Sequence, residues 1–501
     1  MFGGGRYFGL RGQRLNLAVG IIAGIDFFLF GYDQGVMGGL LTLGSFVKTF
    51  PEIDVVAHPN DNHVSTIQGI SVASYNVGCF FGAIITIFIG DILGRRKMIF
   101  FHKRGKMVMI EGAMITGGIC LSYWIDFGFS FLEPSSVSWR FPIAFQIVFA
   151  LILLAFIMEL PESPRWLILK GKEDEALSVI SALNDLPPDD HLVQVEFAEI
   201  KDTVIEMAGV RWRDLFTMGP ERNFHRVALG YVNQVFQQIS GINLITYYAA
   251  TIYQTYIGLG GTTARILAAA NGTEYFLASW IAVYTIEKFG RRQLMLFGAV
   301  GMAGSMAILA GMNYMSSVNL GGSSPGVVSA VFLFVFNSFF AVGWLGMTWL
   351  YPAEIVPLRI RAPANGLSTS ANWAFNFMVV MITPVSFSSI GYKTYIIFAV
   401  INAFIIPVVY FFYPETAYRS LEEIDTIFRK TTGWFSVVST ARNEPLRYGK
   451  HGELLIDYEQ TPEHMMRTRS ATSHGAKGQS RGVENTGTGQ RLRSLNYARI
   501  A

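Results

Sequence analysis

Gly94 to Lys106 read GRRKMIFFHKRGK: two basic clusters, GRRK and HKRGK, with only Met98, Ile99, Phe100 and Phe101 between them. Each has the composition of a loop at the mouth of a membrane helix, since Lys and Arg collect on the cytoplasmic side of spanning segments. Four apolar residues rise about 6 Å as helix and cannot cross about 30 Å of hydrocarbon. Both clusters therefore belong to one side of the membrane.

The rest of the chain makes the membrane reading general. Of 501 residues 51% are hydrophobic and only 15% charged, against about 25% charged in soluble domains. Ten runs are long enough to span as helix, near 17–40, 66–90, 107–124, 141–160, 227–254, 263–286, 294–315, 325–351, 363–387 and 392–413. Taken alternately, the gaps between them fall into two sets. One holds Arg6, Arg11, Arg14, the opening stretch, Arg165 with the segment to Arg226, Lys288, Arg291, Arg292, Arg359 and Arg361; the other holds little beyond Lys48, Arg140 and Lys393. This asymmetry predicts both termini in the cytosol. Cys79 and Cys120 sit inside apolar runs, so neither a disulfide framework nor a metal site is expected. The basic start MFGGGRYFGLRGQRLN lacks the short apolar core of a cleavable signal.

The organisation follows: a cytosolic tail 1–16, a four-span bundle 17–160, a polar and partly helical cytosolic segment 161–226, a six-span bundle 227–413, and a tail 414–501 whose Gly-, Ser- and Arg-rich part after about residue 465 is expected to be disordered. The sequon Asn271-Gly272-Thr273 lies within a span, where glycosylation is not expected. GDILGRRK at 90–97 returns as EKFGRRQ at 287–293, and PESPRWL at 161–167 as PETAYRSLEE at 414–423. Repeats at corresponding places mean a duplicated bundle with its binding site near the midplane, where the halves meet.

FGYDQGV at 30–36, the two GRR loops, KRGK at 103–106, PESPRWL, QQISGINLITYY at 237–248, WLYPAEIVPLRIRA at 349–362 and PETAYRSLEE together resemble the major facilitator superfamily, and within it the sugar porters. The stretch 346–373 is similar to the fungal branch of hexose transporters and glycerol/proton symporters. The resemblance implies an all-α polytopic membrane protein of two pseudo-symmetric bundles, normally six helices and six. Here the count is four and six. In the family the GRR and RGK loops are separated by helices 3 and 4, about 50 residues at some 20 per span. Lys97 to Lys103 stand in their place. Loss of an even number of spans leaves every later loop on its original side, and an error in splicing or in reading the gene would look the same.

The resemblance also implies roles. Gln237, Gln238 and Asn243 would meet sugar hydroxyls, Tyr247 and Tyr248 the outer side of the site, Asn271 and Asn372 further hydroxyls, and Trp349 the ring face. Neutral amides suit such a ligand, and Gly241 would let its helix loosen beside it. Intramembrane amides also bond neighbouring helices, a reading that stands beside the first and weighs most for Asn372 and Asn376. Asp33 corresponds to the acid that, in proton-coupled members, titrates against an Arg on helix 4; with that Arg missing, a buried Asp33 is expected to stay neutral and to couple no longer. Asp26, seven residues earlier, reads as a packing or cavity residue. Glu111 either falls near a sugar-binding Gln of the family or pairs with cytosolic Lys or Arg. Arg95, Arg96, Arg291, Arg292, Arg359 and Arg361 would pair beneath the bundles with Glu162, Glu354 and Glu415, latching one state.

The expected function is alternating-access transport of a monosaccharide or polyol, with protons as co-substrate in the intact family, in a bilayer that is most simply the plasma membrane. Two alternatives stand: a transport-defective shortened product, and a sugar sensor of the same fold, which the short, low-complexity tail disfavours. No nucleophile, base and oxyanion set converges, so an enzyme is not expected; nor are a cofactor, a metal or a nucleic-acid partner.

Overall fold

A computed structural model describes residues 7–93, 104–207 and 212–446. Arg95, Arg96, the four apolar residues of the opening stretch and the tail beyond 446 lie outside the described residues.

The first half consists of α1 (Gly12–Leu40), the short α2 (Gly44–Thr49), α3 (Asn62–Leu93), α4 (Arg104–Ser130) and α5 (Val137–Ile157). Three short helices follow, α6 (Pro164–Leu169), α7 (Glu173–Asn184) and α8 (His191–Met207). The second half holds α9 (Asn223–Ile239), α10 (Ile242–Thr251), α11 (Gly261–Phe289), α12 (Arg291–Ser317), α13 (Ser324–Phe340), α14 (Met347–Ile355), α15 (Arg361–Ile390) and α16 (Lys393–Phe412), and after it come α17 (Leu421–Lys430) and α18 (Val437–Asn443). Every one of the ten expected spans is helical. Among the described residues, eight stretches are long and apolar enough to cross a membrane; the other two are α9–α10, broken at Gly241, and α11, which carries Arg265, Glu274, Glu287 and Lys288.

Small residues set how the helices approach. A methyl group added to Gly31 would lie 1.8 Å from the Ile115 carbonyl oxygen, one on Gly35 2.1 Å from Ser122 Oγ, and one on Gly118 2.0 Å from the Phe28 carbonyl oxygen. The α1 and α4 backbones are thus in direct contact, and dispersion replaces the hydrophobic drive that lipid removes. The halves then meet along two seams, α3 on α15 and α4 on α11. Among the described residues, hydrogen bonds between α1–α5 and α9–α16 lie in the middle and at the end that carries the 41–61 loop: Thr116 to Ser279 (3.1 Å), Tyr123 to the Thr246 carbonyl (2.8 Å), Arg265 to the Thr42 carbonyl (2.6 Å), and Ser388 and Ser389 to Asn62 (2.8 and 2.9 Å).

The segment 161–226 is more ordered than "partly helical" suggests. Its helices enclose a core of their own, Leu167, Ile168, Ala176, Val179 and Leu183, shared with Leu15 of α1. The start of the last tail is likewise built in. Ser420 and Glu423 form a capping box for α17, which offers Asp425 to the fully buried Arg226.

Candidate functional site

Gly241 adopts φ +102, which breaks the span into α9 and α10, and a side chain there would collide with Met306 and Phe398. Opposite, a π-turn over 341–345 separates α13 from α14 and leaves carbonyls without helical partners. Side-chain amides of α9 bond carbonyls of this turn and of α14: Gln237 Nε2 donates to the Trp344 and Leu345 carbonyls (3.3 and 3.2 Å), Gln234 to Thr348 (3.1 Å), whose helical partner would be Pro352, and Asn233 to Met347 (3.2 Å). The amides also bond one another. Asn243 donates to Gln238 Oε1 (2.5 Å), Gln238 to Gln237 Oε1 (3.0 Å), and Asn372 of α15 to both Gln237 and Gln234 (2.9 and 2.6 Å). Gln237, Gln238, Asn243 and Asn372 are therefore brought together as the sequence proposed, all buried. Their hydrogen bonds are already made within the protein, so a ligand hydroxyl would exchange with existing partners.

Other candidates fall elsewhere. Tyr247 reaches Asn76 of α3 (3.4 Å), across the seam between the halves, whereas Tyr248 donates to the Val380 carbonyl (2.9 Å). Asn271 does not join the cluster: its Oδ1 accepts from Asn337 of α13 at 2.7 Å. Trp349 is half-buried on α14 and joins none of these hydrogen bonds; the fully buried tryptophan is Trp344, whose ring nitrogen donates to Met295. Asp33 has a buried Oδ1 without a partner and pairs with no cation among the described residues. Glu111 forms no ion pair with a described residue, and the basic side chains nearest to it in sequence lie outside the described ones.

The charge network is realised in part. Arg291 forks onto Glu354 (2.6 to 3.2 Å), and Thr416 donates to the same carboxylate (2.6 Å). Glu415 pairs with no guanidinium among the described residues: it accepts the backbone N–H groups of Arg291 and Arg292 (2.9 and 3.0 Å) and so caps α12. Arg292 instead donates to the Tyr410 carbonyl (2.7 Å), Arg359 pairs with Asp214 (3.4 Å), and Arg361 donates to the Val356 carbonyl (3.0 Å). Glu162 accepts from the N–H of Ser163. Arg292 and Glu415 thus each have nearer partners than one another, which sequence spacing cannot reveal, while Arg95 and Arg96 lie outside the described residues.

Several polar residues escaped the sequence reading. Gln234 and Asn337 complete amide pairs, and Asn76, like the already considered Asn376, leaves a buried polar atom unpartnered beside Tyr247. Glu274 and Asp126 are acids within spans, a signal that was legible and not used.

The sequence profile described as "Sugar (and other) transporter" matches residues 19–103 and 101–428. Sugar transporter STL1 of Saccharomyces cerevisiae is 36% identical over 480 residues, covering 85% of this chain and 83% of its own length. The MFS-type transporter oryC of Aspergillus oryzae is 36% identical, covering 84% and 87%. Among solved structures, the proton:xylose symporter XylE bound to 6-bromo-6-deoxy-D-glucose superposes with TM-score 0.68 at 22% identity, over 82% of this chain and 98% of that one. With the two bundles, the broken helix and these matches in hand, the chain belongs to the sugar transporter family of the major facilitator superfamily.

Proposed function

We propose that the chain carries a small polyhydroxylated solute, a monosaccharide or a polyol, by alternating access, with protons as co-substrate, through the plasma membrane and with both termini cytosolic. The observation that carries this is the chain of amides Asn243, Gln238, Gln237 and Asn372, strung across three helices where α9 breaks. Each offers a donor and an acceptor to hydroxyls without charge, and STL1 and XylE bear names of sugar carriage. With the Lys- and Arg-rich loops inside, the 41–61 end faces outward. Its contacts between Arg265 and Thr42 and between Asn62 and Ser388 then close the outer side.

Gln238→Ala tests the site. A buried hydroxyl left without its partner costs about 1–3 kcal/mol, so affinity for the solute should fall roughly ten- to a hundredfold. Undiminished binding by the purified protein would move the site elsewhere.

The junction supports a second reading, that this chain lacks the family's third and fourth helices and carries its solute poorly. The two matched stretches of the family profile meet at 101–103, and the alignment with STL1 runs over 480 positions while taking in 85% of 501 residues, leaving roughly fifty positions without a residue here. On α3, Ser71, Ser74 and Gly78 lie exposed on one face, a small-residue surface of the kind that receives a neighbouring helix. Inserting a helical hairpin from a close relative between Lys97 and Lys103 should raise uptake in a transporter-null host. Equal uptake with and without it would refute this reading.

A further inference from the structure

Glu274 stands near the midpoint of the 29-residue α11. Its Oε1 accepts from the Ser338 hydroxyl of α13, while Oε2 is buried and has no partner among the described residues. One turn earlier Asn271 accepts from Asn337, so two successive polar rungs join α11 to α13, and the inner rung keeps Asn271 Nδ2 and Asn337 Oδ1 unpartnered. The outer rung opens on a crevice of about 490 Å³ lined by Trp124 of α4, by Thr273, Glu274, Leu277 and Ile281 of α11, and by Ser338. Trp124 bonds Thr273 across it (2.8 Å). The crevice therefore has one wall in each half of the protein.

We propose that Glu274 binds the proton that this chain couples to solute movement. The inference rests on the transporter reading above. A carboxylate at membrane depth costs several kcal/mol unless a cation or water attends it. No cation among the described residues pairs with Glu274, and the titratable groups around it are the phenols of Tyr253 and Tyr275, with Trp124 and Cys120 on α4 and Asn337 and Ser338 on α13. Hydration of the crevice during the transport cycle would let the acid give up its proton. Because α4 belongs to one half and α11 and α13 to the other, rocking of the halves changes the crevice, and with it the hydration of the carboxyl. Asp33 on α1 lies near Tyr75 of α3 and Tyr247 of α10 and, like Glu274, pairs with no cation among the described residues; Glu274 differs in standing beside the crevice.

The test has two arms in liposomes holding the purified full chain. Infrared difference spectra between alkaline and acid buffer should show a protonated carboxyl C=O band that Glu274→Gln removes and Asp33→Asn retains. Under an imposed gradient of about one pH unit, a driving force worth tenfold in accumulation, Glu274→Gln should lose that tenfold and flatten the pH profile of solute exchange, and Glu274→Asp should recover part of both. A band unaffected by Glu274→Gln, or accumulation equal to that of the unaltered chain, would overturn the proposal. Absence of any solute exchange by the unaltered chain would instead sink the transporter reading, and the infrared arm would still decide whether Glu274 takes the proton.

Discussion

Arg265→Ala should open the 41–61 end of the protein. Arg265 is the one residue of α9–α16 that forms an ion pair with α1–α5 or their loops among the described residues, and its side chain is only 13% exposed. Its guanidinium donates to the Thr42 carbonyl at 2.6 Å and the Thr42 hydroxyl at 3.2 Å, with Glu133 at 3.7 Å. A hydrogen bond from a charged donor contributes about 1.5–3 kcal/mol, and a partly exposed pair at the longer distance adds less than about 1 kcal/mol. Separation of the halves returns the guanidinium to water and recovers part of this. The net loss is then about 2–3 kcal/mol, a shift of roughly 30- to 150-fold toward the state open at this end. Thr246, buried on α10 and bonded through its carbonyl to Tyr123, reports the change. With Cys79 and Cys120 replaced by serine and Thr246 by cysteine, labelling by a membrane-impermeant maleimide should rise by that factor. Glu133→Gln should give less than about fivefold, since the weaker contact is the one removed. Arg140→Ala, the same charge change on an exposed residue at the same end, is the control. Labelling of the Arg265 variant no faster than the control would refute the latch.

Gly35→Leu places a side chain where even a methyl group meets Ser122 Oγ at 2.1 Å and the Ile119 backbone at 3.1 Å; the α1–α4 contact should part, with a loss of at least about 3 kcal/mol read as a lower melting temperature of the purified protein. Asp425→Ala strands the fully buried Arg226, which also lies 4.4 Å from the Phe428 ring centre, so α17 should detach and become sensitive to protease, the loss being about 1–3 kcal/mol once the 35% exposure of Asp425 is allowed for. His225 packs at a tilt on Trp434, 4.1 Å between ring centres, and burial beside Arg222 and Arg226 holds its imidazole down at about 4. Its folded value lies below the unfolded one, so its protonation favours the undocked tail; hydrogen exchange of 421–430, corrected for its intrinsic pH dependence, should quicken as pH falls from about 6.5 to about 4, and His225→Phe should blunt the response.

Much of the architecture was legible because a bilayer reads sequence coarsely. Backbone groups in hydrocarbon must bond within their own segment, so about 20 apolar residues in a row determine a helix, and Lys and Arg between the runs determine its direction. All ten expected helical stretches follow from this. The repeats pointed to a site at the midplane between the halves, the resemblance pointed to the amides of the second half, and Gly241 beside three amides marked the helix break. What each amide bonds was not legible. Hydropathy says that Asn271 and Asn243 are polar residues in apolar runs, but only the facing of α11 toward α13 and of α10 toward α9 pairs the first with Asn337 and the second with Gln238. Glu415 likewise looked like a partner for arginine side chains and proved to cap a helix, because chain direction at Gly290 points two N–H groups at it. Composition decided what lies in the membrane; which groups meet there was decided by helix rotation and close approach, since a hydrogen bond is made or lost over about half an ångström and a pattern along one chain does not encode the distance to another helix.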